Sequence, residues 1–132
     1  MIVAIGGTKT TSDVITLAVY DAQLPSGVKS KTYTVQAGDN LAAIATGVTT
    51  AINGDTDLQA AGITATSSGT IITIQSNSVN PTTYRGSCNT NGTETVSMGL
   101  PPNGVQTATI GGTKTTSDVL TVTVYDAGLS GG

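Results

Sequence analysis

Residues Val14–Tyr20 alternate strictly, with Ile15, Leu17 and Val19 on one side and Thr16, Ala18 and Tyr20 on the other. A period of two over this length predicts a strand with one buried face. Before it, Val3–Ile5 reads as a short strand that breaks at Gly6-Gly7. After it, the turn-rich Asp21–Gly27 leads to Val28–Val35, whose alternation is weaker and whose Lys29 and Lys31 predict an edge or solvated face. The period then changes. Leu41, Ile44, Ala45, Val48 and Ile52 form one stripe of a helix over about 40–53, with Asp39 placed as its N-cap. Asp55 or Thr56 is placed to cap a short second helix, Asp57–Ala61, ended by Gly62. Strands resume at Ile63–Ser67 and Thr70–Gln75 around a Ser68-Gly69 turn. Thr82–Cys88 and Thr93–Met98 read as one or two more.

The first strand pattern then returns. Ile110–Gly132 repeats Ile5–Gly27 at a constant offset of 105, without a gap, and 17 of 23 positions are identical. In the second copy Leu120, Val122 and Val124 take the inward places, and Thr121, Thr123 and Tyr125 the outward ones. Ile15 and Leu17 are exchanged only for other apolar residues, whereas Ala18, on the other side, becomes Thr123. The two copies thus agree on which face is buried. Pro101-Pro102-Asn103-Gly104 is the strongest breaker in the chain and lies just ahead of the second copy. The chain therefore divides into one complete unit, 1–104, and the opening strands of a second, 105–132. The fold class expected is α+β, mostly β: an antiparallel, sandwich-like domain with one amphipathic helix, plus a short second helix, packed on a sheet face. Self-similarity at a fixed period marks an array.

Composition narrows the chemistry. With 26 Thr, 17 Gly, no Phe, no Trp and no His, the core must come from Val, Ile, Leu and Ala. Five basic residues, scattered along the chain, against eight acidic ones leave no footprint for nucleic acid. No apolar run approaches the roughly 18–20 residues of a membrane span. Without His, and with Glu94 as the only glutamate, acid–base catalysis would fall to aspartates. Those aspartates mostly sit beside Gly, Ser, Thr or Asn, where Asp caps helices and closes turns, so an enzyme is not expected. No cofactor is expected either. The one metal option is calcium held by Asp13 or Asp21 and their copies Asp118 and Asp126; Asp55 and Asp57 have calcium-loop spacing but lack the rest of that motif. Cys88 stands alone, as a small filler or as one half of an intermolecular bridge. Asn91-Gly92-Thr93 is a formal glycosylation sequon in a turn, which makes Asn91 a candidate modification site.

Two stretches resemble known families. Thr32–Ala45, TYTVQAGDNLAAIA, resembles the opening of LysM domains, and implies a peptidoglycan- or chitin-binding module with a shallow groove near Gly38–Leu41 and after Ile52. The match lapses beyond this: the helix runs longer, and the Asn-Pro pair usual in that family is missing. The longer pattern Ile5–Ile74, resumed at Ile110–Gly132, resembles the tandem repeats of about a hundred residues in large secreted bacterial surface, Rhs-type or fibre-like proteins. That second resemblance implies a stalk or scaffold module and carries no catalytic residues. It also accounts for the repeat. The expectation is therefore a structural module of an extracellular or cell-surface bacterial repeat protein or filament. Its partner would be itself, met head to tail through Ile110, Val119, Leu120, Val122, Val124 and Tyr125. Carbohydrate binding of the LysM type is the alternative.

Overall fold

The computed structural model describes residues 1–89 and 91–99. They form two antiparallel sheets, a main helix and a short second helix. The strands are β1 (Ile2–Gly7), β2 (Val14–Tyr20), β3 (Val28–Thr34), β4 (Ile63–Ser68), β5 (Ile71–Ser76), β6 (Thr83–Cys88) and β7 (Glu94–Gly99). The helices are α1 (Leu41–Asn53) and α2 (Thr56–Ala60). One sheet has the order β4-β5-β1-β7, the other β3-β2-β6. The fold class read from the sequence is the one observed.

β2 runs over the expected residues and buries Ile15, Leu17 and Val19 almost completely. Its outer face differs from expectation in one place: Ala18 is buried too. β2 lies between β3 and β6, with Ala18 opposite Ser30 and Arg85, so longer neighbours on both sides cover a methyl group.

β1 does not stop at Gly6. It runs to Gly7 because both glycines pair with β7, Gly6 with Thr95 and Gly7 with Glu94. Gly7 has φ of +80°, and a Cβ there would overlap the Thr93 carbonyl oxygen, so only glycine allows this approach. The residues around Asn89–Gly92 separate two distinct strands, β6 in one sheet and β7 in the other.

α1 packs on the four-stranded sheet through β4, β5 and β1, and reaches β3 of the other sheet. Ile44, Ala45, Val48 and Ile52 are buried as the stripe predicts, with Leu41 packed at their margin. Complete burial of an Ile contributes about 1.5–3 kcal/mol. The cap is displaced by one residue: Asn40, not Asp39, accepts from the Ala43 N–H at 2.8 Å. Asp39 instead accepts from the Gln36 N–H at 2.7 Å and the Tyr33 hydroxyl at 2.9 Å. α2 is capped by Asp55, which accepts from the Asp57 and Leu58 N–H groups, both at 3.1 Å.

Two of the four outer strands, β3 and β4, are blunted. β3 is an edge, but Lys29 and Lys31 lie on its inward side, in register with Val19 and Leu17. Their ammonium groups reach Asp55 and Asp57: Lys31 to Asp55 at 3.1 Å, Lys29 to Asp57 at 2.5 Å. Inward-pointing charge protects an edge from pairing with other chains. On β4 the side-chain amide of Asn53 acts as a substitute strand, donating to the Ala65 carbonyl and accepting from the Ala65 N–H, each at 2.8 Å.

Candidate functional site

The densest polar cluster lies where the chain crosses from β1 to β2, beside the connection from β6 to β7. Asp13 and Glu94 are both buried there, with Cys88 half-buried next to them. Their ligand atoms all lie within 4.8 Å of one another. Asp13 accepts from the Thr93 N–H at 3.0 Å, and Asn89 Nδ2 approaches at 3.4 Å. Glu94 accepts from the Thr10 N–H at 2.6 Å. Thr93 Oγ1 donates to the Thr8 carbonyl at 2.7 Å, and Asn89 Oδ1 accepts from the Val14 N–H at 2.7 Å.

Electrostatics follow from these contacts. The Thr93 N–H, with the Asn89 amide, holds Asp13 below the usual carboxylate range, against the opposing effect of burial. Burial and the carboxyls of Glu94 and Asp13 push the Cys88 thiol up. A nucleophilic cysteine needs the reverse surroundings, a cation or a helix N-terminus that favours the thiolate.

Two carboxylates and a thiol are potential metal ligands, and among the described residues this is the one such group. Backbone and side-chain donors of Thr10, Thr93 and Asn89 already engage both carboxyls. The arrangement joins the β1–β2 crossing to the start of β7 and acts as a structural knot. Sequence reasoning missed it because its members are about 80 positions apart, beyond any local periodicity.

Asp13 and Asp21 flank the two ends of β2, roughly 25 Å of strand apart; Asp118 and Asp126, the copies expected to share calcium with one or the other, lie outside the described residues. Burial pushes the Asp21 carboxyl up, but the Gln23 N–H, Ser78, Thr82 and Asn80 more than offset this, leaving it below its ordinary value. Thr82 Oγ1 donates to it at 2.7 Å. Asp55 and Asp57 converge on lysine ammonium groups, Asp55 also capping α2.

Several residues of the LysM-like stretch have packing or hydrogen-bonding roles in the fold. Tyr33 lies against Gly47 of α1, where a Cβ would overlap the ring, and its hydroxyl donates to Asp39. Leu41, Ile44 and Ala45 face the core. Asn91 is exposed in the turn between β6 and β7. The expected interface residues Ile110, Val119, Leu120, Val122, Val124 and Tyr125, and the unit boundary near residue 104, lie outside the described residues. No helix of the described residues is long and apolar enough to cross a membrane.

The first copy of the repeat, by contrast, is fully described, and its position is informative. β1 lies between β5 and β7, and β2 between β3 and β6. β2, which lies wholly within the repeat, is therefore interior and hydrogen-bonded on both sides, whereas the repeat covers only Ile5–Gly7 of β1; these pair with β7, and the ladder from β1 to β5 is made by Ile2–Ala4, ahead of the repeat. No protein-family model, curated protein or solved structure matches the chain.

Proposed function

We propose that this chain is a structural module of an extracellular bacterial repeat array or filament, joined head to tail through its duplicated strand segment. One observation carries the reading: the repeated segment forms the whole of β2, the central strand of the three-stranded sheet, and the last three residues of β1, paired with β7 in the other. A second copy of that sequence needs a module around it as the first does, because its apolar stripe and backbone groups otherwise remain unsatisfied. The module has one place for such a segment, and the chain holds two. The interior place of every other chain is filled in the same way, so the surplus copy drives contact by adding a strand to an outer edge of the next unit or of a second copy of the chain.

Other features support a passive role. The edges of β3 and β4 are blocked, so association through an outer strand falls to β6 or β7, the other edges of the two sheets. The Cys88 thiol is held away from its reactive form. The Thr-rich, weakly charged composition suits an extended secreted protein.

Replacing Val122 by Asp tests the proposal. It places a carboxylate in the apolar stripe of the surplus copy, at a desolvation cost of several kcal/mol if that stripe is buried. Negative-stain images of the wild-type chain are expected to show head-to-tail strings, and those of V122D single folded particles. Identical images from both would refute the assembly role.

A further inference from the structure

We infer that Asn91 is a site of spontaneous covalent modification: its side-chain amide is lost as ammonia through attack by the Gly92 backbone nitrogen, and the product loosens the knot that ties β7 to the β1–β2 crossing.

The chemistry starts from the pair Asn91-Gly92. The Gly92 nitrogen, giving its proton to a solvent base, bonds to Cγ of Asn91, and Nδ2 leaves as ammonia. The five-membered succinimide so formed takes up one water, which opens either of its two carbonyl–nitrogen bonds. One water enters and one ammonia departs, and aspartate or isoaspartate stands in place of Asn91. A side chain on the residue that supplies the nitrogen hinders ring closure, so glycine is the most permissive follower. Packing imposes glycine here for a separate reason: a Cβ at residue 92 would overlap Sγ of the half-buried Cys88. The thiol beneath the turn thus sets the least hindered nitrogen next to Asn91.

Local structure singles out Asn91 among the described asparagines. Asn80 precedes Pro81, whose nitrogen has no proton to give. Asn40 caps α1, accepting from the Ala43 N–H at 2.8 Å, and Leu41 follows it. Asn77 is followed by Ser78, whose N–H donates to Ser76 Oγ at 3.2 Å. Asn89 is followed by β-branched Thr90, and its Oδ1 accepts from the Val14 N–H at 2.7 Å. Asn53 is the closest comparison, because Gly54 follows it. Its amide, however, is fixed to Ala65 by two hydrogen bonds of 2.8 Å, and the Gly54 N–H donates to the Thr50 carbonyl at 2.9 Å. Asn91 is exposed in its turn. The described restraint on its reaction is the bond from the Gly92 N–H to the Asn89 carbonyl, at 2.8 Å. Asn103, also followed by glycine, lies outside the described residues.

The consequence follows from position. Thr93, two residues on, donates its N–H to Asp13 at 3.0 Å, and Glu94 accepts from the Thr10 N–H at 2.6 Å. Aspartate at 91 adds negative charge to the turn that leads into these two buried carboxylates. Isoaspartate routes the chain through Cγ and adds a methylene to the backbone. That shifts Gly92 from its place against Cys88 and draws the Thr93 N–H away from Asp13, leaving a buried carboxylate short of a donor.

Peptide mapping of the full chain by mass spectrometry, during storage in mildly alkaline buffer, tests the assignment. Fragment spectra are expected to place a gain of one mass unit at residue 91, split between aspartate and isoaspartate. The gain should be at least about tenfold faster than at Asn53, where two more hydrogen bonds must open first. An equal rate at Asn53 or Asn89, or an Asn91 that stays intact while the same chain unfolded in urea converts it, overturns the site. Urea unfolding reads the consequence. The midpoint of stored wild type should fall by roughly 0.5–1 M, the loss of one donor to a buried carboxylate divided by the usual slope. Stored N91Q, whose longer side chain would have to close a six-membered ring, should keep its fresh midpoint. Equal falls in both proteins, or no fall in a converted wild type, overturn the link to the knot.

Discussion

Gly47→Ala tests the packing of α1 on β3 through two effects of opposite sign. Alanine in a helix interior is favoured over glycine by about 1 kcal/mol, so an exposed site would gain stability. Gly47, however, faces the Tyr33 ring, and a Cβ built there lies 2.6 Å from Cζ and closer still to Cε2 and Cδ2. The ring cannot simply swing away, because its hydroxyl donates to Asp39 at 2.9 Å and Tyr33 is paired within β3 opposite Ile15. Overpacking of this kind costs about 1–3 kcal/mol. The net expectation is a loss of about 1 kcal/mol, or a melting temperature lower by roughly 4–8 °C for a domain near 100 residues. In a Tyr33→Ala background the obstacle is gone and the same substitution should stabilise by about 1 kcal/mol. Urea unfolding of the four proteins in the cycle measures both values, and the sign should invert between backgrounds. A Gly47→Ala gain of equal size with and without the tyrosine would refute the packing argument.

Two further outcomes follow from other contacts. Asn53→Ala removes two hydrogen bonds to Ala65 and bares the β4 edge; stability should fall by about 1–3 kcal/mol, and light scattering should show aggregation that V122D does not suppress. Acid should unfold the module through Asp13, Asp21 and Asp55, all held below the ordinary carboxylate value in the fold. For Asp55, burial opposes and the Leu58 N–H, Lys31 and Lys29 prevail. A lowered folded value means the contribution is complete above the unfolded value of about 3.9 and is lost as pH falls through the folded values. The melting temperature should therefore be level with respect to these groups near neutrality and drop below about pH 4, and the drop should be smaller in Asp55→Asn, whose amide still caps α2.

Local pattern made much of this fold legible. β2 and the stripe of α1 were readable because one face of each is buried, and burial imposes a period that residues 14–20 and 41–52 record. The Asp55 cap was readable because capping spans three residues. What was hidden depends on pairing between distant segments. Gly6 and Gly7 look like a break until Thr93 is known to pass beside them. Lys29 and Lys31 look solvated until Asp55 and Asp57 are placed opposite. The knot of Asp13 with Glu94 unites positions that share no local signal. The place of the repeated sequence was half visible: two copies disclosed the buried face, but only the sheet order shows that in the first copy β2 is a central strand and not an edge.

Sedimentation velocity of the wild-type chain beside V122D, across a range of concentrations, tests the central claim most directly. One module and two copies of its β1–β2 segment leave one apolar segment unsatisfied, so the wild type should sediment as species that grow with concentration. V122D should remain a folded single chain, because its charged copy lies outside the module formed by the first. A wild type that stays at the mass of one chain throughout, or a V122D that associates as it does, would contradict the account.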